Sequence, residues 1–144
     1  MNDLKPRAIR LLARREHSRA ELARKLSPYG SPEEVDIVLT ELQDTNLLSD
    51  ARFAQSYLRS HGERLGAARL RQTLRTKGVD EELIAASLRE ADLPDEMARA
   101  RAIWARKFAA PPADAREWAR QARFLQSRGF GTELIRKVLK ESAE

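Results

Sequence analysis

Leu74-Arg75-Thr76-Lys77-Gly78-Val79-Asp80-Glu81-Glu82-Leu83 is the middle one of three stretches that align without a gap. The first is Leu26-Ser27-Pro28-Tyr29-Gly30-Ser31-Pro32-Glu33-Glu34-Val35, and the third is Leu125-Gln126-Ser127-Arg128-Gly129-Phe130-Gly131-Thr132-Glu133-Leu134. In each, Leu stands four before the glycine, Glu four after it and an aliphatic residue five after it. The glycines are 48 and 51 residues apart, so the repeating unit is close to fifty residues. A glycine at this place reads as a helix stop in a left-handed conformation, and the acidic turn behind it as the start of the next helix.

Helix signals fill in the rest of each unit. Ser18-Arg19-Ala20-Glu21, Ser31-Pro32-Glu33-Glu34 and Asp114-Ala115-Arg116-Glu117 read as capping boxes, the second with Pro at the first helical position. Ser49 and Asp80 are further N-cap candidates, and Pro94 reads as another helix start. The spacing predicts nine helices, near 5–16, 18–28, 32–46, 49–61, 65–77, 81–91, 94–109, 114–128 and 132–142. They group as three-helix repeats over 1–46, 47–92 and 93–144. A module of about fifty residues without disulfides or metals buries little core alone, so the three are expected to stack into an elongated, curved array. Ala109-Ala110-Pro111-Pro112-Ala113 cannot continue a helix and is expected to space two helices of the third repeat.

Composition agrees with an all-α fold. The 144 residues include 22 Ala and 19 Leu, both strong helix formers, against 4 Val and 5 Ile. With no Cys and only His17 and His61, thiolate zinc sites, cysteine nucleophiles and histidine metal clusters are excluded or starved of ligands. No apolar run approaches a membrane span, and Met1-Asn2-Asp3-Leu4-Lys5-Pro6 does not read as a secretory leader, so a cytoplasmic protein without a membrane role is expected. No phosphate-binding glycine loop or HExxH stands in the chain. Ser18 and Ser49 read as caps rather than nucleophiles, and His17 as a surface residue. The expectation is a protein that is not an enzyme and needs no cofactor.

Charge supplies the positive clue. Lys and Arg total 27 against 22 acidic residues, a net +5, and Arg accounts for 21 of the 27. The surplus is 0 over residues 1–46, +1 over 47–92 and +4 over 93–144. On a helical wheel, Arg116, Arg120 and Arg123 fall within about 60° of one another, opposite Ala115, Trp118, Ala122 and Leu125. Arg71 and Arg75 form an i,i+4 pair flanking Ala67, Leu70 and Leu74. Arg7, Arg10 and Arg14 form a stripe opposite Ile9, Leu12 and Ala13. Each stripe is also what a merely solvated helix face would show; merged, they would form a basic surface for acidic protein side chains or phosphates. Trp104 and Phe108, with Met97 and Ala100, read as a core stripe, and Phe53 with Tyr57 repeats that spacing. The third helix of each repeat opens on acids: Glu33, Glu34 and Asp36; Asp80, Glu81 and Glu82; Glu133. The helix dipole explains them, and they would repel phosphates if that end entered a DNA groove.

Four segments carry a likeness. They are Leu11-Leu12-Ala13-Arg14-Arg15-Glu16-His17-Ser18-Arg19-Ala20-Glu21-Leu22 with Lys25-Leu26, then Leu48-Ser49-Asp50-Ala51-Arg52-Phe53-Ala54. Gly66-Ala67-Ala68-Arg69-Leu70-Arg71-Gln72-Thr73-Leu74-Arg75-Thr76-Lys77-Gly78-Val79 and Arg123-Phe124-Leu125-Gln126-Ser127-Arg128-Gly129-Phe130 follow in order. From about Ile9 to Leu139 the chain resembles RecX, the family of regulatory proteins of the RecA recombinase. Two departures are small: Ala67 stands where Pro is expected after Gly66, and Thr73 where Glu is expected before Leu74. The resemblance implies three tandem three-helix repeats in an elongated, curved molecule that modulates, mainly inhibits, RecA; a monomer is expected. It would bind in the groove of the RecA–DNA filament or cap its growing end, suppressing ATP hydrolysis, strand exchange and co-protease activity in DNA repair, recombination and the SOS response. The family supplies no contact residues for this chain. Arg71, Arg75, Arg116, Arg120 and Arg123 are therefore the candidates for the surface facing RecA or DNA on the strength of the wheel alone. Direct contact with single- or double-stranded DNA through that face is left open. The competing readings are a stand-alone DNA-binding helical protein and a nucleotide-dependent enzyme, the latter lacking a phosphate-binding signature.

Overall fold

Helix formers punctuated by caps yield nine α-helices and no strand among residues 3–143, which the computed structural model describes. In chain order these are α1 (Leu4–Arg14), α2 (Arg19–Leu26), α3 (Pro32–Asp44), α4 (Asp50–His61), α5 (Ala67–Thr76), α6 (Glu81–Glu90), α7 (Glu96–Lys107), α8 (Ala115–Ser127) and α9 (Thr132–Ser142). Two short 3-10 turns, Ser27–Tyr29 and Gly62–Arg64, follow α2 and α4. Met1 and Asn2 of the opening segment, and Glu144 at the end of the third repeat, lie outside the described residues. No helix among the described residues is long and apolar enough to cross a membrane.

The caps work as their chemistry requires. Ser18 and Ser31 each accept a hydrogen bond from the backbone N–H three residues on, and Glu21 and Glu34 reciprocate to the cap backbone. Asp114 accepts from Glu117 N–H, but the Glu117 carboxylate bonds Arg120, so the expected box there is only half formed. Ser49 accepts from Arg52 N–H at 3.1 Å and Asp80 from Glu82 N–H at 3.1 Å. The expected helix start at Pro94 moves by two residues: α7 begins at Glu96 with Asp95 as its N-cap, and the Pro94 carbonyl instead accepts from Arg99.

Gly78 and Gly129 take the left-handed conformation expected of them, with φ of 85° and 96°. Gly30 does not. Pro28 ends α2 in a 3-10 turn, so Gly30 is extended at φ −168°. What keeps a side chain off Gly30 is space, because a Cβ there would sit 2.6 Å from Leu4 Cδ1.

The chain divides into two compact units, with the central repeat shared between them. The first runs up to Tyr57 and adds Leu74–Glu90; the second is Leu58–Thr73 with the chain from Ala91 onward. In the first unit Leu4, Ala8, Leu22, Leu26, Leu39 and Leu42 lead the core of α1–α3. The inward side of α1 is thus Leu4 and Ala8 with Leu11 and Leu12 packed beside them. Ile9, expected inside, is 41% exposed and Ala13 is exposed as well. In the second unit Ala100, Ile103, Leu125, Ile135, Val138 and Leu139 join α7, α8 and α9. Leu26, Leu74 and Leu125, the leucines four before each repeat glycine, are all fully buried.

Candidate functional site

The expected basic surface begins on α8. Gln121 and Leu125 are buried, which turns Arg116, Arg120 and Arg123 outward, and all three are exposed. Trp118 departs from expectation: it is 37% exposed rather than a core residue, and Gln121 fills the inward place. That burial is satisfied chemically, since Gln121 accepts from Trp104 Nε1 at 2.7 Å and donates to Ala110 O at 3.2 Å. Trp104 is accordingly half-buried, and Phe108 is buried just past the end of α7 rather than on it.

The arginines differ in how their charge is met. Arg120 forks onto Glu117 through hydrogen bonds of 2.8 and 2.9 Å, and its guanidinium lies 5.2 Å from the centre of the Phe108 ring. That hydrogen bond holds the Glu117 carboxyl below the usual range. Arg75 pairs with Glu81. Arg71, Arg116 and Arg123 form no ion pair among the described residues. Water screens exposed pairs such as Arg75–Glu81, so an incoming anion can compete for these arginines at small cost. On α1, Arg10 and Arg14 are exposed, whereas Arg7 is half-buried, stacked 3.7 Å from the Tyr29 ring centre and paired with Asp3.

A buried polar cluster in the first unit escaped the sequence reading. His17, expected at the surface, is 1% exposed beside fully buried Ser18 and buried Glu21. The Lys25 ammonium, a donor only, lies 3.0 Å from His17 Nε2, and the Arg15 carbonyl, an acceptor only, lies 3.1 Å from Nδ1. Together they require a neutral imidazole with its proton on Nδ1. Burial lowers the pKa of His17, with the Arg15 and Lys25 charges adding to the effect against the Arg15 carbonyl and Glu21. Burial pulls the Glu21 carboxyl upward, but Arg15, bonded to both its oxygens at 3.1 and 2.8 Å, outweighs it together with Lys77 and, once protonated in acid, His17, and the group is held at about 2. The Ser18 hydroxyl donates to the Lys77 carbonyl at 2.7 Å. The cluster is self-satisfied and structural, joining the start of α2 to the turn after α5.

Arg99 is a second missed residue, 7% exposed in the second unit. It donates to the carbonyls of Leu65 and Pro94 at 3.2 and 2.8 Å, while Glu96 accepts from Ala67 N–H at 2.7 Å. The first turn of α7 thereby caps α5, a carboxylate meeting a helix N-terminus. The signal was present in the sequence: Arg99 sits four before Ile103 and beside Ala100, on the core side of its helix. Among the described residues no cluster of His, Cys, Asp and Glu has metal-ligand geometry.

Known proteins share this frame. Three family profiles match in tandem: "RecX, first three-helix domain" over residues 5–42, the second three-helix domain over 49–88 and the third over 94–139. The chain is 51% identical over 138 residues to the regulatory protein RecX of Leptothrix cholodnii, covering 95% of this chain and 87% of that one. It is 45% identical to the regulatory protein RecX of Chromobacterium violaceum, covering 98% of this chain and 91% of the relative. The crystal structure of RecX from Lactobacillus salivarius superimposes with a TM-score of 0.77 at 19% identity, over 96% of this chain and 94% of that one, a likeness of fold.

Proposed function

The chain belongs to the RecX family, and on that premise we propose that it is a regulatory protein that binds RecA or its filament on DNA. In this reading it slows filament ATP hydrolysis, strand exchange and co-protease activity by lying in the filament groove or capping the growing end. It does so in the cytoplasm, as a monomer and without catalysis or a cofactor. The observation that carries the reading is the tandem match of three family domains from residue 5 to residue 139. Such a series of small helical modules suits a polymer target, because each repeat offers its own weak contacts to successive subunits.

Arg71, Arg75, Arg116, Arg120 and Arg123 are the proposed contact residues, meeting acidic side chains of RecA, DNA phosphates or both. The exposed acids at the starts of α3, α6 and α9 weigh against a stand-alone DNA reader that inserts those ends into a groove. The test is RecA ATPase activity on single-stranded DNA with increasing amounts of this protein. Inhibition below one molecule per RecA subunit supports capping, and inhibition only at or above that ratio supports groove binding. No inhibition at any ratio overturns the proposal.

A further inference from the structure

The second unit holds a cleft of about 400 Å³ where three chain segments converge: the turn after α4, the last turn of α7 and the end of α8. Arg64, Arg106, Lys107 and Arg128 line it, one or two from each segment. None of the four forms an ion pair among the described residues. Elsewhere in the same unit Arg101, Arg120 and Arg136 have carboxylate partners. No carboxylate lines the cleft; His61 also borders it, its Nδ1 3.3 Å from the Arg64 guanidinium. Arg64 donates to the Ser60 carbonyl at 2.7 Å, and Lys107 and Arg128 stand 5.5 and 4.9 Å from the centre of the Phe124 ring.

Cations near helix C-termini are common, because the helix dipole favours them. That accounts for a basic residue at each end, and not for three ends meeting in one concavity with no acid among them. The wall is also not purely polar: buried Ile103 and half-buried Leu65 and Phe124 line it with the cations. The volume lies in the range of about 300–1,000 Å³ typical of small-ligand pockets.

We propose that this cleft binds a nucleoside phosphate, its phosphates drawn to Arg64, Arg106, Lys107 and Arg128 and its base laid against Phe124 and the aliphatic wall. Concentrated negative charge beside a flat apolar body matches what the cleft presents, and arginine forks suit phosphate oxygens. A base stacking on Phe124 displaces only weak cation–ring contacts and releases Lys107 and Arg128 toward the phosphates. An inorganic anion has no use for the apolar wall. The nucleotide is either free or carried in a single strand, and the inference stands independently of RecA binding, since none of the five proposed contact arginines lines the cleft.

The test uses the full chain without RecA. ADP and pyrophosphate are titrated by calorimetry at two salt concentrations, and fluorescein-labelled dT15 is followed by anisotropy. The parent is compared with Arg106→Glu/Lys107→Glu, Phe124→Leu and Arg116→Glu/Arg120→Glu/Arg123→Glu. We expect ADP to bind once per chain, more weakly at high salt, and to lose at least tenfold in the Arg106/Lys107 double reversal while the α8 triple variant binds like the parent. Phe124→Leu weakens ADP several-fold and leaves pyrophosphate unchanged. If ADP is silent but dT15 binding falls in both the double reversal and Phe124→Leu, the nucleotide is taken from a strand and the site holds. Should the double reversal fail to fold, Arg64→Gln/Arg128→Gln replaces it. ADP and dT15 both indifferent to the cleft variants, or pyrophosphate binding as tightly as ADP with Phe124→Leu inert, overturns the proposal.

Discussion

Gly66 and Gly129 touch through their backbones in the second unit: the Gly66 N–H donates to the Arg128 carbonyl at 2.7 Å, and a Cβ on Gly66 would run into the Gly129 carbonyl group. Gly129 itself sits at φ 96°, and a Cβ there would strike the side chain and backbone of Arg69. The two glycines therefore serve one junction. The stop after α8 and the start of α5 approach each other at a distance only hydrogen permits, and Arg69 closes the contact by donating to the Ser127 carbonyl at 2.6 Å.

Gly66→Ala is expected to cost about 1–3 kcal/mol, the range for overpacking a filled site. Gly129→Ala is expected to cost more, since a left-handed alanine adds about 1–2 kcal/mol to the clash. Gly131 is the control, because a Cβ there would meet nothing within 4 Å. Gly131→Ala is expected to stay within about 0.5 kcal/mol of the parent. Urea denaturation of the three variants checks the order.

Leu26, Leu74 and Leu125 are fully buried at the same place in each repeat. Each Leu→Ala change is expected to destabilise by about 2–5 kcal/mol through lost burial and the cavity left behind. Three unchanged melting temperatures would contradict the alignment of the repeats.

Stability is expected to fall on acidification, with the buried cluster of the first unit contributing in two stages. His17 has a folded pKa below its ordinary 6.5, so its contribution is full above 6.5 and is lost as pH drops toward the folded value. Glu21 has its folded pKa held at about 2 against an ordinary 4.5, so its contribution is full above 4.5 and is lost between there and 2. The Glu21 part amounts to at most about 3 kcal/mol, reduced by solvent around half-exposed Arg15. Urea midpoints measured from pH 7 to pH 2.5 should show both declines. Glu21→Gln should lower stability at pH 7 and flatten the lower stage.

The fold was legible because its signals are local. Glycine stops, Ser and Asp caps and the Ala/Leu bias act over four or five residues, and each expected helix stands within about two residues of its place. What escaped depends on contacts distant in the chain. The cluster around His17 is closed by the Ser18 hydroxyl bonding the Lys77 carbonyl 59 residues on, and Gln121 faces inward because Trp104, 17 residues earlier, supplies its partner. On the basic face, the wheel placed Arg116, Arg120 and Arg123 outward correctly. The i,i+3 spacing of Glu117 and Arg120 carried the signal for their pair, but Arg75 and Glu81 stand on different helices and no wheel joins them. Nor does any wheel bring Arg64, Arg106 and Arg128 into one cleft, since they come from three separate segments.

The central claim is that the arginines of α8 carry binding to the RecA filament, and one comparison tests it most directly. RecA ATPase activity on single-stranded DNA is measured with the parent protein and with Arg116→Glu/Arg120→Glu/Arg123→Glu, at low and at physiological salt. These side chains are exposed and face away from Gln121 and Leu125, so helicity and melting temperature should be nearly unchanged. The expected result is inhibition by the parent that weakens as salt rises, and no inhibition by the triple variant at either salt. A folded triple variant that inhibits RecA like the parent at both salts would contradict the claim and leave that face merely solvated.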